Sequence, residues 1–126
     1  MEWIPLTNEA QLDEIISKSN TRPQVIFKHS TRCSISAVAM QRLKRGMAPG
    51  DFDFYYLDLI AYRSLSNQVA DRFSVVHESP QILVICNGEC VYDESHMSIT
   101  AGDIIENLGT ATCEAWGDSY EVIDDR

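Results

Sequence analysis

The sequence predicts an α/β fold in which one central mixed sheet carries helices on both faces. A chain of 126 residues suits a single compact core. Hydrophobic residues make up 44% and charged residues 23%, close to globular averages, which argues against a disordered or coiled-coil chain. Apolar runs of strand length alternate with segments of helical periodicity. The predicted element order is β-α-β-α-β-α-β-β-α.

The first half of the chain predicts three strands, each followed by a helix. Asn8, with Gln11 three residues later, forms a capping box that starts the first helix. The apolar run 24–28 suits a buried parallel strand. Two further strands are predicted over 3–6 and 53–60. A second helix is indicated by the apolar stripe Ile35, Ala39, Leu43 and Met47 and ends at the Pro49-Gly50 turn. A third helix is marked by Leu65, Val69 and Phe73.

The second half predicts a hairpin followed by one helix. Asn87-Gly88 is a hairpin turn signal between the apolar run 81–86 and a return strand over 91–94. Thr100 starts the last helix, and Gly109 is expected to end it, as a C-terminal glycine often does.

Together these elements indicate one domain over residues 1–109 and an acidic C-terminal tail over 110–126. Alternating strands and helices imply parallel strands joined by right-handed crossovers. The hairpin adds an antiparallel pair at the sheet edge. This is the element order of the thioredoxin fold.

Composition excludes several classes of partner. Ten basic and 19 acidic residues give a net charge of -9, which argues against nucleic acid, because phosphate binding requires a basic surface. The longest apolar run, from Ile82 to Cys86, is far below the roughly 20 residues of a membrane-spanning helix. The start Met-Glu-Trp-Ile-Pro does not resemble an export signal, so we expect a cytoplasmic protein.

Charge is distributed unevenly along the chain. The segment 15–50 contains no acidic residue and carries +7, whereas the remainder carries -16. Part of this excess fits the end of a helix, where cations favour the negative end of the dipole. Lys28, His29 and Arg32 are different, because they flank Cys33. These three residues are therefore candidates for binding an anionic substrate, and the alternative for Lys28 and Arg32 is a solvated surface.

Cys33 is the candidate nucleophile, because it follows a strand and starts a helix. The free N–H groups and the positive dipole end of a helix N-terminus favour thiolate over thiol, and thiolate is the species that attacks disulfides. Ser36 lies one helical turn further on, where a dithiol enzyme would carry its resolving cysteine. Its hydroxyl can donate to the thiolate, so monothiol chemistry is expected. The alternative is that Cys33 is a small buried apolar residue.

Ser79-Pro80 is the second candidate feature, because the proline directly precedes an apolar strand. A cis bond there would be a structural choice, although trans is the commoner form of any X-Pro bond. In thioredoxin-like folds a cis-proline at this place lies against the active cysteine. The residue before it offers its backbone to the substrate, which would be the role of Ser79.

Three segments resemble the monothiol bacilliredoxins: Phe27-Lys28-His29-Ser30-Thr31-Arg32-Cys33-Ser34-Ile35-Ser36, Tyr56 to Arg63, and His77-Glu78-Ser79-Pro80-Gln81. The resemblance spans roughly residues 1–109. It implies a thioredoxin fold, a cis-proline at Pro80, an active-site cysteine at Cys33 and Ser36 as the fourth motif residue. It also implies a role in thiol homeostasis in a bacterial cytoplasm, with bacillithiol as co-substrate.

Ser34 departs from the family, in which proline often follows the active cysteine. Proline suits the first helical turn because its missing N–H would be unpaired there anyway. Serine keeps that N–H available to the thiolate, so Ser34 is a candidate substrate-binding residue.

The expected reaction follows from this resemblance. Cys33 would remove bacillithiol, or another small thiol, from mixed disulfides on S-thiolated cytosolic proteins, and a second small thiol would then reset Cys33. Bacillithiol carries a malate group and is anionic, so Lys28, His29 and Arg32 could attract it, as could the helix N-terminus. For His29 we favour a hydrogen-bonded packing role over proton transfer.

Three further cysteines are less informative. The sequence has no Cys-x-x-Cys pair, and its three histidines have no metal-ligand spacing, so no metal site is expected. Cys86 is expected in the core. Cys90 follows the hairpin turn and could approach Cys86, although a structural bridge is improbable in a reducing compartment. Cys113 is a candidate resolving thiol if the tail folds back.

Two other function classes remain open. A thioredoxin-like binding module would hold a peptide or anion around Cys33 and Pro80 without turnover, and would need no thiolate. Arsenate or peroxide reduction would need more arginines, further cysteines or a Thr-x-x-Cys motif, of which Ser30 is the nearest counterpart.

Overall fold

Five strands and four helices follow one another in the computed structural model, which describes residues 2–110 and Cys113. The elements are β1 (Ile4–Pro5), α1 (Glu9–Lys18), β2 (Gln24–His29), α2 (Ser34–Gly46), β3 (Asp53–Asp58), α3 (Arg63–Arg72), β4 (Gln81–Cys86), β5 (Glu89–Ser95), a 3₁₀ turn (His96–Ser98) and α4 (Ala101–Thr110). The predicted order is confirmed. No described helix has the length and apolar character needed to cross a membrane.

All five strands belong to one mixed sheet in the order β1-β3-β2-β4-β5. Strands β1, β3 and β2 are parallel, whereas β4 is antiparallel to β2 and β5 is antiparallel to β4. The carboxyl ends of β2 and β3 therefore meet the amino end of β4 at one end of the sheet, where Lys28 lies opposite both Leu57 and Gln81. We call this the Cys33 end, and the other the Cys86 end.

Helices cover both faces of the sheet, so β2 and β4 are buried at every residue. One core packs α1 and α3 against the sheet and contains Leu6, Leu12, Ile15, Ile26, Tyr55, Leu57, Leu65, Val69, Phe73, Leu83 and Ile85. The other packs α2 and α4 against the opposite face and contains Val25, Phe27, Ala39, Leu43, Met47, Phe54, Ile82, Val84, Ile99 and Ile104. The continuous apolar runs of the central strands follow from this double burial.

The predicted helix starts are confirmed in detail. Asn8 and Gln11 form a reciprocal capping box, in which the Gln11 N–H donates to the Asn8 side chain over 3.1 Å. At α4, the Asp103 N–H donates to the Thr100 hydroxyl over 3.2 Å. The expected stop at Gly109 is wrong, because α4 continues through this glycine to Thr110. A single glycine lowers helix propensity by only about 1 kcal/mol, which does not by itself end a helix.

Both edge strands are irregular. β1 has two residues and includes Pro5, which cannot donate a ladder hydrogen bond. β5 pairs with β4 through a register shift between Val84 and Ile85, and it exposes Glu89 and Asp93. Most of the expected acidic tail, 110–126, lies outside the described residues, so the boundary at residue 109 stays a prediction.

Candidate active site

Cys33 lies at the end of the loop that joins β2 to α2, beyond the carboxyl end of β2. It is the N-cap of α2, with an extended backbone at φ -117° and ψ 123°. Its carbonyl accepts the Ala37 N–H over 3.1 Å and so begins the helix. The thiol is free and half-buried. A thiolate at this position lies beside the unpaired N–H groups and positive dipole of the first helical turn, as the sequence predicts.

Ser36 is fully buried beneath the first turn of α2 and belongs to a short hydrogen-bond chain. The Ser30 N–H donates to the Ser36 hydroxyl oxygen over 3.0 Å. The same oxygen lies 2.6 Å from His29 Nδ1. The hydroxyl thus holds the loop between β2 and α2 against the helix, a role that sequence reasoning did not foresee.

The tautomer of His29 decides what Ser36 can offer to Cys33. With the ring proton on Nε2, the Ser36 hydroxyl donates to Nδ1 and has no proton for the thiolate. With the proton on Nδ1, the hydroxyl accepts two bonds and its own proton is available. That Ser36 donates to Cys33 therefore stays a prediction, tied to the second tautomer.

His29 has the packing role that the sequence favours. It is 5% exposed and packs against the rings of Phe27 and Tyr56, at centroid distances of 5.8 and 5.7 Å. Burial lowers the pKa of His29, partly opposed by the charge of Asp58. The imidazole is therefore mainly neutral at neutral pH, so attraction of an anion by its charge is not supported.

The position of Lys28 differs from both predictions made from the sequence, anion binding and a solvated surface, because each requires its ammonium at the surface. The residue is 0% exposed and points to the face covered by α3. Its Nζ donates to the Ser66 carbonyl over 3.1 Å and to His77 Nδ1 over 3.2 Å. Burial lowers the pKa of Lys28 to about 8, with a further contribution from Arg63. A surface position for Lys28 is thus wrong, because β2 is buried on both faces. Its contact with an anionic substrate stays a prediction, and it would require the ammonium to leave Ser66 and His77.

His77 accepts the Lys28 bond at Nδ1, because an ammonium can only donate. The neutral ring therefore carries its proton on Nε2. Burial lowers the pKa of His77, and the positive charge of Lys28 adds to this effect. His77 stands three residues before Pro80, so Lys28 fastens the segment that leads to the proline.

The bond between Ser79 and Pro80 is cis, as the family resemblance implies. Gln81 Nε2 donates to the Val76 carbonyl over 2.9 Å and so braces this loop from inside. On the other side the His96 N–H donates to the Pro80 carbonyl over 3.0 Å. The Ser79 hydroxyl is buried and has no hydrogen-bond partner within residues 2–110 and Cys113. The loop that the sequence assigns to substrate is thus held on both sides.

Arg32 and Ser34 flank Cys33 and are both exposed. Arg32 is accessible to an anionic ligand from solution, in contrast to Lys28. Ser34 is the first residue of α2, where its backbone N–H belongs to the unpaired set of the helix start. The structure therefore leaves Arg32 and Ser34 as the accessible members of the predicted substrate-binding set beside the thiol.

Exposed apolar side chains surround this end of the sheet, and sequence reasoning missed them. Val76 is 79% exposed, and Ile35, Ile60 and Tyr62 are each about 40% exposed. They stand in the segments that follow β2 and β3 or precede β4, which the topology brings to the Cys33 end. Apolar residues close to Cys33, after β3 or shortly before Pro80 were the available signal. We call these four residues the apolar rim.

The other sulfur atoms lie elsewhere. Cys86 and Cys113 are joined by a disulfide, so the structure does not place Cys113 as a resolving thiol for Cys33. Cys90 is a free thiol whose Sγ donates to the Tyr92 carbonyl, and burial raises its pKa to about 11. Within the described part of the chain, no cluster of three or more His, Cys, Asp or Glu side chains could hold a metal.

Comparison with solved structures shows the fold. A protein proposed to be an oxidoreductase with a thioredoxin fold is 32% identical, with a TM-score of 0.72, over 82% of this chain and 90% of its own. A mutant thioredoxin from Halobacterium salinarum NRC-1 has a TM-score of 0.66 at 14% identity, over 88% of this chain and 94% of its own. Mitochondrial thioredoxin 3 from Saccharomyces cerevisiae has a TM-score of 0.66 at 15% identity, over 86% and 95%. The predicted thioredoxin-like α/β fold is confirmed.

A protein-family comparison is more specific than the shared fold. The model of the monothiol bacilliredoxin BrxC family matches residues 4–104, a span that includes Cys33, Ser36 and Pro80. With more than half of its length matched, the chain belongs to the monothiol bacilliredoxin BrxC family.

Proposed function

We propose that the protein is a monothiol thiol–disulfide oxidoreductase that uses Cys33 to remove bacillithiol, or a similar small thiol, from mixed disulfides on proteins. The family and the fold indicate a thiol redox role. The observation that carries the proposal is a free, half-buried thiol at the N-cap of α2, with Ser36 one turn further on.

The first step is an exchange in which no net electrons are consumed. The Cys33 thiolate attacks the bacillithiol sulfur of a mixed disulfide. The bond between that sulfur and the protein breaks, a bond from Cys33 to bacillithiol forms, and the protein leaves as a thiolate. The helix N-terminus stabilises the attacking thiolate, because its unpaired N–H groups point at the N-cap position.

The second step needs a thiol from outside the site. Ser36 cannot form a disulfide, Cys86 and Cys113 are bonded to each other, and Cys90 pairs with Ile85 near the other end of β4. A second small thiol would attack the adduct, form a small-molecule disulfide and release Cys33. Hence the cycle uses one protein sulfur, as the term monothiol implies.

Substrate recognition is divided between charge and apolar surface in this proposal. Arg32 would attract the carboxylates of bacillithiol, as would the positive end of α2. The apolar rim would contact the S-thiolated protein, since exposed apolar patches commonly mark contact surfaces. A bacterial cytoplasm, where the family resemblance puts this thiol chemistry, is the proposed compartment.

The decisive experiment follows bacillithiol between two proteins. Reduced wild-type protein and a Cys33→Ser variant are incubated with a model protein that carries bacillithiol on one cysteine, and intact masses are recorded over time. Cys90→Ser is the matched control, because it removes a free thiol outside the site. We expect one adduct per wild-type chain and per Cys90→Ser chain, and none on Cys33→Ser.

Two results would contradict the proposal. Equal adducts on wild type and Cys33→Ser would move the chemistry to another cysteine. Stable binding of the capped protein without any transfer would favour the alternative, a binding module around Cys33 and Pro80. The same assay with a glutathione-capped protein tests whether bacillithiol is preferred.

A further inference from the structure

Two further sulfur atoms form a bonded pair far from Cys33. Cys86 and Cys113 are joined by a disulfide, and each residue is only 3% exposed. Cys86 is the last residue of β4, whereas Pro80 directly precedes the first. At about 3.3 Å per residue, the six steps from Pro80 to Cys86 span roughly 20 Å. The pair therefore lies at the Cys86 end and is separate from the proposed active site.

The fold determines which cysteine can pair with Cys86. Side chains alternate along β4, so Cys86 shares a face with Ile82 and Val84, in the core that α4 covers. Cys113 stands three residues beyond the end of α4 and meets Cys86 on that face.

Cys90 is excluded from this pair although it is only four residues from Cys86. It packs with Ile85 and Leu83 in the core on the opposite face of the sheet. The backbone of β4 thus stands between Cys86 and Cys90. From the sequence, Cys86 and Cys90 could approach each other, but a structural bridge was not expected. The structure contradicts the second expectation, because it joins Cys86 to Cys113.

We propose that Cys86 and Cys113 form a second redox couple, oxidised by low-molecular-weight disulfides, whose bond fastens the chain after α4 to the end of β4. In the first step one of the two thiolates attacks the small disulfide, becomes a mixed disulfide and releases one small thiol. The other thiolate then attacks that mixed disulfide, forms the internal bond and releases a second small thiol. One small disulfide is reduced to two thiols as the protein dithiol is oxidised, so electrons balance.

This couple differs from Cys33 in its product. Cys33 has no partner sulfur nearby and would retain the small thiol as an adduct, whereas the second couple expels it and keeps an internal bond. The bond also closes a loop between residues 27 apart in sequence. Closing a loop of this length restricts the unfolded chain, so we expect the oxidised protein to melt about 10 °C above the reduced protein.

The test uses the full chain with Cys33→Ser, so that active-site adducts do not interfere. The reduced protein is incubated with glutathione disulfide, remaining thiols are alkylated, and intact mass and linked peptides are determined. We expect loss of the mass of two hydrogen atoms, no retained glutathione, and a peptide linking Cys86 to Cys113. Adding Cys113→Ser should abolish the link and the difference in Tm, whereas adding Cys90→Ser should leave both.

Several outcomes would overturn the proposal. A link from Cys86 to Cys90 would show that the sheet does not separate them. Full alkylation of Cys86 and Cys113 after oxidation, or stable glutathione on either, would show that no couple forms. Equal Tm values for linked and reduced protein would show that the bond does not fasten the chain. None of these outcomes bears on transfer by Cys33, so the two proposals fail separately.

Discussion

The two ends of β4 place sulfur in opposite surroundings. At the Cys33 end, a single thiol stands half-buried at a helix start, next to an exposed arginine and an apolar rim. At the Cys86 end, two sulfur atoms are bonded to each other and sealed from solvent. Cys90 lies near that end, partly buried on the other face, with a pKa raised to about 11.

The contrast shows that position in the fold, rather than residue type, sets what each cysteine can do. A helix start offers N–H groups that stabilise a thiolate and leaves the sulfur accessible to a large disulfide substrate. The strand position of Cys90 offers neither, and burial raises the pKa of its thiol to about 11. In the two proposals, one sheet therefore supports exchange with other molecules at one end and internal pairing at the other.

The largest expected effect is the difference in alkylation between Cys33 and Cys90. A thiol with a pKa of about 11 is thiolate in only about one molecule in 10,000 at pH 7, and burial restricts access further. We expect iodoacetamide to label Cys33 at least about 100-fold faster than Cys90 in the reduced, folded protein, measured by timed peptide mass analysis. In denaturant the two rates should converge. If Cys90 is labelled as fast as Cys33 in the folded state, position in the fold does not set the reactivity of the two cysteines.

The second effect is a change in the pH dependence of stability when the buried charge of Lys28 is removed by Lys28→Met. Because the pKa of Lys28 falls from 10.5 to about 8 on folding, the unfolded chain binds more protons at this site between those values. The free energy of unfolding of the wild type should therefore rise with pH relative to the variant from about pH 8 to 10.5. We expect a relative gain of about 1–3 kcal/mol.

Urea unfolding of wild type and Lys28→Met at about pH 7 and about pH 10 measures this gain. The difference between the two proteins removes contributions from groups that both share. Parallel stability curves would show that the Lys28 ammonium is not buried as the structure has it.

The smallest expected effect is on the rate of bacillithiol transfer when the exposed charge of Arg32 is removed. Arg32→Ser should slow bacillithiol transfer about threefold at low salt, because an exposed cation next to the thiol steers an anionic substrate. Arg45→Ser is the matched control, since Arg45 is exposed in the last turn of α2, away from Cys33. At 1 M salt the screening length is only about 3 Å, so the Arg32 effect should vanish. An equal loss in both variants would mean that overall charge is responsible.

Local signals explain why the elements could be predicted from sequence. The Asn8–Gln11 capping box and the Asn87-Gly88 turn each act over a few residues. Asn87 and Gly88 adopt φ values of 53° and 79°, the left-handed pair that a tight hairpin turn requires. The placement of Cys33 at a strand–helix junction follows from the same local signals.

Contacts between distant segments could not be predicted in this way. Lys28 is the one charge in an otherwise uncharged run, and its partner His77 lies 49 residues further along the chain. Likewise, Cys86 reaches Cys113 only because α4 returns across the sheet. In both cases the sequence identifies residues of unusual chemistry, and only the fold shows what they contact.

The irregular edge strands have a consequence for behaviour in concentrated solution. A regular, uncharged edge strand would offer unpaired backbone groups to a second chain and so invite aggregation. Here β1 is cut short around Pro5, and β5 combines a register shift with the exposed carboxylates of Glu89 and Asp93. Neither edge strand therefore offers a regular row of unpaired backbone groups with which another sheet could pair. If the proposed function holds, contact with a thiolated protein would instead use the loops at the Cys33 end, where one disulfide bond would form and be released in each cycle.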